Sequence, residues 1–114
     1  MGSSPAGTVV LVPFPFSDLS RSKLRPAVVL AEVSCGNRIL CQITSNPYGD
    51  ASAIALDDAV FASGSLRIAS YARPGKLFTA SADLIVGEVG ILTAQARRRV
   101  VDAVIAVLRA GSPA

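Results

Sequence analysis

A chain of 114 residues, 51% hydrophobic with no Trp and 5% aromatic, carries a net charge of +3 and no histidine. That length suits one domain, burying roughly two-thirds of its unfolded surface, and the apolar content excludes disorder over most of it. Without imidazole, proton transfer near neutral pH must fall to Arg, Lys, Asp, Glu, Tyr or hydroxyls, and two cysteines cannot build a four-ligand zinc cage, so neither metal nor cofactor is expected.

The longest apolar runs, Val9–Phe14 and Pro26–Ala31, fall far short of the ~20 residues that cross a bilayer. Met1–Ala6 has no basic stretch followed by an apolar one, as a secretory leader would. A cytoplasmic location without a membrane partner follows as the expectation, with Cys35 and Cys41 as reduced structural residues.

In chain order, residues 1–6 read as a flexible N-terminus, 7–110 as a single domain and 111–114 as a flexible C-terminus. Thr8–Pro13 is rich in branched residues and reads as a strand; Pro13–Asp18 should leave the sheet, because prolines cannot donate to a central ladder. Ser17–Leu24 is a polar loop. Pro26–Val33 and Arg38–Ser45 are the next strands, joined as a hairpin through Ser34–Asn37. In the third strand a period of two puts Ile39, Cys41 and Ile43 on a core face and Arg38, Leu40, Gln42 and Thr44 on the other.

Asn46–Asp50 is a second polar loop, followed by short strands at Ala53–Leu56 and Leu66–Ile68. Ser70–Thr79 holds another strand, broken or bulged at Pro74-Gly75, then one helical turn within Ser81–Ile85 and a last strand at Gly87–Leu92. From Thr93, a cap, the pattern turns helical: Val100, Val104, Val107 and Leu108 recur on one face. About 16 residues, or roughly 24 Å of helix, run to the break at Gly111-Ser112-Pro113. The Arg97-Arg98-Arg99 run opens this helix and reads as solvated. The fold class is mainly β with a C-terminal α-helix, arranged as a small antiparallel barrel with the helix docked on it.

Three segments resemble a known family when taken together. They are Gly7-x-Val9-x-x-Val12-x-Phe14-x-Phe16-Ser17-Asp18, then Ser22-Lys23-Leu24-Arg25-Pro26-Ala27-Val28-Val29-Leu30, then Cys41-Gln42-Ile43-Thr44-Ser45-Asn46. This order of first strand, loop, Arg-Pro opening of the second strand and Thr ending the third resembles the MazF/PemK/Kid toxins, mRNA interferases of type II toxin–antitoxin systems. The likeness is good over residues 7–46, fair over Ser70–Thr79, and architectural for the helix.

The resemblance implies a small SH3-like barrel of the CcdB-MazF type and a sequence-specific, metal-independent endoribonuclease acting on single-stranded RNA. The substrate's 2′-hydroxyl would attack the adjacent phosphate, leaving 2′,3′-cyclic phosphate and 5′-hydroxyl ends. It implies that Arg25 and Thr44 lie side by side at the mouth of a groove, that the protein is a homodimer with RNA partly at the subunit interface, and that a MazE/PemI-type antitoxin presents an acidic tail to the basic groove. Independently, an antiparallel hairpin through Gly36 would bring the start of one strand opposite the end of the other, at about 5 Å.

Arg25 is expected to stabilise charge on the phosphate through its rigid fork, and Thr44 to hydrogen-bond the phosphate or the attacking oxygen. Ser45 is either a turn residue or a supporting phosphate donor, and Asp18 a candidate base. For RNA binding the candidates are Arg21 and Lys23 in the loop, Asn46 as a turn residue or base reader, Arg67, and Tyr71, Arg73 and Lys76 as a stacking and clamping group. Two departures stand out: Thr8 where relatives often carry an acid, and Ala69 where the Kid branch has the Asp of an Arg-x-Asp. Two alternatives are a non-catalytic toxin of the same fold that inhibits a topoisomerase by protein contact, and a non-catalytic RNA-binding barrel. The RNA motif and the antitoxin's identity are not legible.

Overall fold

The structure is a computed structural model and describes residues 4–15 and 22–112. Seven strands appear among the described residues: β1 Thr8–Pro15, β2 Ser22–Val33, β3 Asn37–Thr44, β4 Ile54–Leu56, β5 Phe61–Gly64, β6 Ser70–Ser81 and β7 Gly87–Leu92, followed by α1, Ala94–Ala110. They pair antiparallel in the order β4-β6-β3-β2-β1-β7-β5, a nearly closed barrel with one C-terminal helix.

β1 does not leave the sheet at Pro13. It continues to Pro15, with Phe14 opposite Lys23 and Pro15 opposite Ser22. The reason lies in the other edge: the β1–β7 pairing ends at Leu11 opposite Gly87, so both prolines lie beyond it and remove no donor from that ladder. The strand expected at Leu66–Ile68 is also displaced. β5 lies earlier, at Phe61–Gly64, and pairs with β7 through Gly64 opposite Gly90. That crossing requires glycine on both strands, because a Cβ on Gly64 would fall onto the Val89 carbonyl, and one on Gly90 would come within 2.6 Å of the Ser63 carbonyl oxygen. Ile68 points outward instead.

The sheet is apolar on both faces near its middle. One face and α1 enclose Val9, Val28, Leu30, Cys41, Ile43, Leu56, Ala72, Leu92, Ala96, Val100 and Val104. The opposite face carries Val10, Val12, Ala27, Val29 and Leu40, against which Phe78, Ala80 and Ile85 pack. Leu40, expected on a polar face, is therefore fully buried. Its cover comes from Phe78 and Ala80 of β6 and from Ile85, which follows the 3-10 turn Ala82–Leu84; the next residue's N–H, that of Val86, donates to the Leu11 carbonyl at 2.9 Å.

α1 opens with the Thr93 hydroxyl accepting from Ala96 N–H at 3.1 Å and closes at Gly111 in the left-handed conformation. Leu108, expected on its buried face, is 69% exposed. Arg98 and Arg99 are exposed, but Arg97 is half-buried: its side chain lies along Gly7, where a Cβ would come within 3.4 Å of its Cδ. Both thiols are free, Cys35 exposed and Cys41 buried. No helix among the described residues is long and apolar enough to cross a membrane.

Candidate active site

At the end of the second face, away from the β2–β3 turn, apolar side chains give way to a polar row. The β2–β3 rungs run to Ala27 opposite Gln42. Pro26, just beyond, has no N–H to offer a neighbouring strand. Continuing the same register two residues along each strand brings Arg25 opposite Thr44, and a step of two preserves the face. Val12 is the register partner of Arg25 on β1, Tyr71 that of Thr44 on β6, and Ala55 that of Tyr71 on β4. Val12 and Arg25, and Thr44, Tyr71 and Ala55, are thus two sets of register partners, which the extended β2–β3 register aligns in one row.

Arg25, Thr44 and Tyr71 are half-buried and Lys23 is exposed. Lys23, two residues before Arg25, stands on the same face. The Thr44 hydroxyl is engaged locally: it donates to the Asn46 carbonyl at 3.1 Å and accepts from Asn46 N–H, also at 3.1 Å. The accepting bond fixes the oxygen at the strand end, while the donated proton is one rotation away from a ligand. Ser45 and Asn46 are exposed beside it. The Asn46 side chain accepts from Tyr48 N–H at 2.9 Å, so its turn role is filled.

Opposite Gln42, β6 is interrupted. Cys41 faces Leu77 while Ile43 faces Ala72, so Arg73–Lys76 loop out of the ladder, as the Pro74-Gly75 pair suggested. Burial pushes the Cys41 thiol up to about 12, and its Sγ donates to the Arg73 carbonyl at 3.1 Å, satisfying an acceptor in the loop-out. The bulge turns Arg73 toward the β3–β4 loop, where its Nε donates to Asp50 Oδ2 at 3.1 Å and its guanidinium lies 5.7 Å from the Tyr48 ring centroid. Asp50 also accepts from Ser52 N–H at 2.9 Å; that bond first, and Arg73 second, hold its carboxyl below the usual carboxylate range.

Lys76 is exposed at the edge of an apolar groove of about 450 Å³ that also takes in Val12, Pro13, Phe78 and Leu84. Arg67 is exposed in the connection before β6, outside the row. Asp18 and Arg21 lie outside the described residues. Among the described residues no cluster of His, Cys, Asp or Glu could hold a metal ion. Sequence reasoning treated Tyr48 and Asp50 only as loop residues, although the Asn-Pro-Tyr-Gly-Asp string signals a turn that would display the ring.

No protein-family model matches the chain, and no curated relative matches it. Among solved structures it is similar to a family of RNA-cleaving toxins and their antitoxin complexes. An endoribonuclease in complex with its cognate antitoxin from Mycobacterial species superposes with a TM-score of 0.71 at 12% identity, over 96% of this chain and 98% of that one. MazE-MazF (Form-III) from Deinococcus radiodurans gives 0.73 at 17% identity over 92% and 95%, and the Mycobacterium tuberculosis toxin MazF-mt6 gives 0.65 at 16% over 88% and 96%. The fold is the MazF-type fold.

Proposed function

We propose that this chain is a MazF/PemK-family endoribonuclease toxin that cleaves single-stranded RNA at the Arg25–Thr44 end of the sheet. The observation that supports the reading is the β2–β3 register, which runs to Ala27 opposite Gln42; extended by two residues on each strand, it sets a guanidinium opposite a hydroxyl at the end of an otherwise apolar face. Support at the level of fold comes from structures described as endoribonucleases and MazE-MazF complexes.

In this reading a phosphate rests against Arg25 with Thr44 beside it. The substrate's 2′-oxygen attacks phosphorus and the bond to the 5′-oxygen breaks, the leaving oxygen taking a proton from Arg25 in its secondary role or from water, which gives a 2′,3′-cyclic phosphate and a 5′-hydroxyl. Arg25 stabilises the charge that develops on the non-bridging oxygens, since its rigid fork of N–H donors suits it to hold charge more than to deliver protons. Thr44 turns its proton from the Asn46 carbonyl to the phosphate. The 2′-hydroxyl proton goes to a base; Asp50, tied to Ser52 and Arg73, is poorly suited to that role, and Asp18 is the candidate.

Lys23, with Arg21, Arg67 and Lys76, supplies phosphate contacts, and Tyr71 offers a ring next to Thr44. The protein works in the cytoplasm as a single domain over 7–110 that pairs as a homodimer, and a MazE/PemI-type antitoxin with an acidic tail blocks the basic row.

The test is incubation of a long single-stranded RNA with the protein in EDTA. Fragments bearing 2′,3′-cyclic phosphate are expected, and Arg25→Ala should lower cleavage by roughly 10²–10³ with an unchanged circular dichroism spectrum, the size of losing one charge-stabilising donor. Intact RNA across many sequences would instead favour a non-catalytic barrel, whether a topoisomerase inhibitor or an RNA binder.

A further inference from the structure

Tyr48 is 70% exposed yet tightly placed. It sits in a four-residue turn closed by Asp50 N–H donating to the Pro47 carbonyl at 2.9 Å, with φ positive at both central residues, 53° at Tyr48 and 73° at Gly49. Positive φ at both centres is the signature of a type I′ turn, which Asn and Gly adopt readily. An aromatic residue there is uncommon, and such a residue persists only where its surroundings hold it.

Here they do. Asn46 Oδ1 holds the Tyr48 N–H, and Asn46's own N–H is held by the Thr44 hydroxyl, so the Tyr48 backbone is tied through Asn46 to the proposed catalytic oxygen by two hydrogen bonds. Arg73 covers one side of the ring, and Asp50 pairs with Arg73, with both side chains about four-fifths buried. This contact directs the guanidinium to the ring and away from backbone phosphate, the role expected of Arg73. The ring therefore remains largely exposed, stiffened from behind by a cation whose charge is balanced. A sequence-tolerant stacking surface for an unpaired base has these properties.

We infer that Tyr48, backed by Arg73 and Asp50, is a preformed platform on which one unpaired nucleobase next to the scissile phosphate stacks. This rests on the single-stranded RNA reading of the Arg25–Thr44 site and adds a base-holding position to it. A double-stranded substrate, whose bases are not available for stacking on a side chain, is excluded by the same feature.

The experiment uses the full chain and a fluorescein-labelled RNA decamer, 2′-O-methylated throughout to block attack, carrying a site at which the wild-type protein cuts. Tyr48→Asn removes the ring but keeps a residue that favours positive φ, so melting temperature should hold or rise. Affinity for the decamer should fall roughly tenfold, the scale of one base–aromatic stack, while Tyr48→Phe binds like wild type. Replacing single nucleotides by abasic ones should reveal one position whose base matters to wild type and not to Tyr48→Asn. Equal binding by Tyr48→Asn, with no such position, overturns the platform while leaving the nuclease reading intact. A wild-type protein that neither cuts nor binds RNA overturns both, and does so before any variant is made.

Discussion

Neighbouring residues on β3 face two different environments. Ile43 is sealed in the interior that α1 closes, whereas Thr44, one residue on, stands half-buried in the polar row. Four residues back from Thr44 on its own face, at Leu40, the sheet is as tightly sealed as at Ile43. The second face is therefore a core that stops partway along the strands: Phe78 and Ala80 of β6, with Ile85, cover it over Leu40, and past the Arg73–Lys76 loop-out a polar row begins. On the proposed reading, chemistry is confined to the strip where a buried scaffold meets solvent, which gives Arg25 and Thr44 rigid backbones and half-buried side chains.

The sharpest way to break that comparison is to treat the two neighbours alike. Ile43→Ala should remove about 2–5 kcal/mol of stability, the range for truncating a buried aliphatic side chain, measured as a shift of the urea midpoint at constant slope. Thr44→Val, nearly isosteric, should leave that midpoint within about 1.5 kcal/mol, the worth of one neutral hydrogen bond. Its RNA cleavage should nonetheless fall roughly 10- to 100-fold, the effect of losing one hydrogen bond to a charged group. If Thr44→Val unfolds as readily as Ile43→Ala and cuts as well as wild type, the two faces do not divide as described.

How far this arrangement could be read in advance depends on how local its cause is. The last strand, Gly87–Leu92, agrees residue for residue with the sequence reading, and the helix follows from the Thr93 cap, the Val100–Val104 spacing and Gly111, all of which act within a turn or two. Leu40 was misplaced because strand alternation says which residues share a face but not whether a segment forty residues later covers it. Pro13 and Pro15 misled because a proline's effect depends on whether its edge of the strand has a partner. The β2–β3 hairpin, from which the Arg25–Thr44 proposal is extended, was legible because one local register produces it. The Tyr48–Arg73–Asp50 group was not, since it needs a β6 bulge to meet the β3–β4 loop, two irregular segments whose encounter no periodicity announces.

The smallest expected effect tests the bulge through the two thiols. Cys41 is desolvated and bonded to the Arg73 carbonyl, and its pKa is pushed up to about 12 from 9.0, whereas Cys35 is exposed in the β2–β3 turn. Because the thiolate is the reactive form, iodoacetamide at pH 8.5 should label Cys35 in the folded protein and reach Cys41 only in denaturant, as peptide mass mapping would report. The same shift carries a sign for stability. The folded state holds the Cys41 proton more tightly than the unfolded chain, so its contribution is complete below pH 9 and is lost as pH rises from 9 toward 12. Cys41→Ala should accordingly show a shallower alkaline decline than wild type over that window. Rapid labelling of Cys41 at pH 8.5 without denaturant would mean that the Arg73–Lys76 loop-out opens readily, and a bulge that opens could not hold Arg73 behind Tyr48.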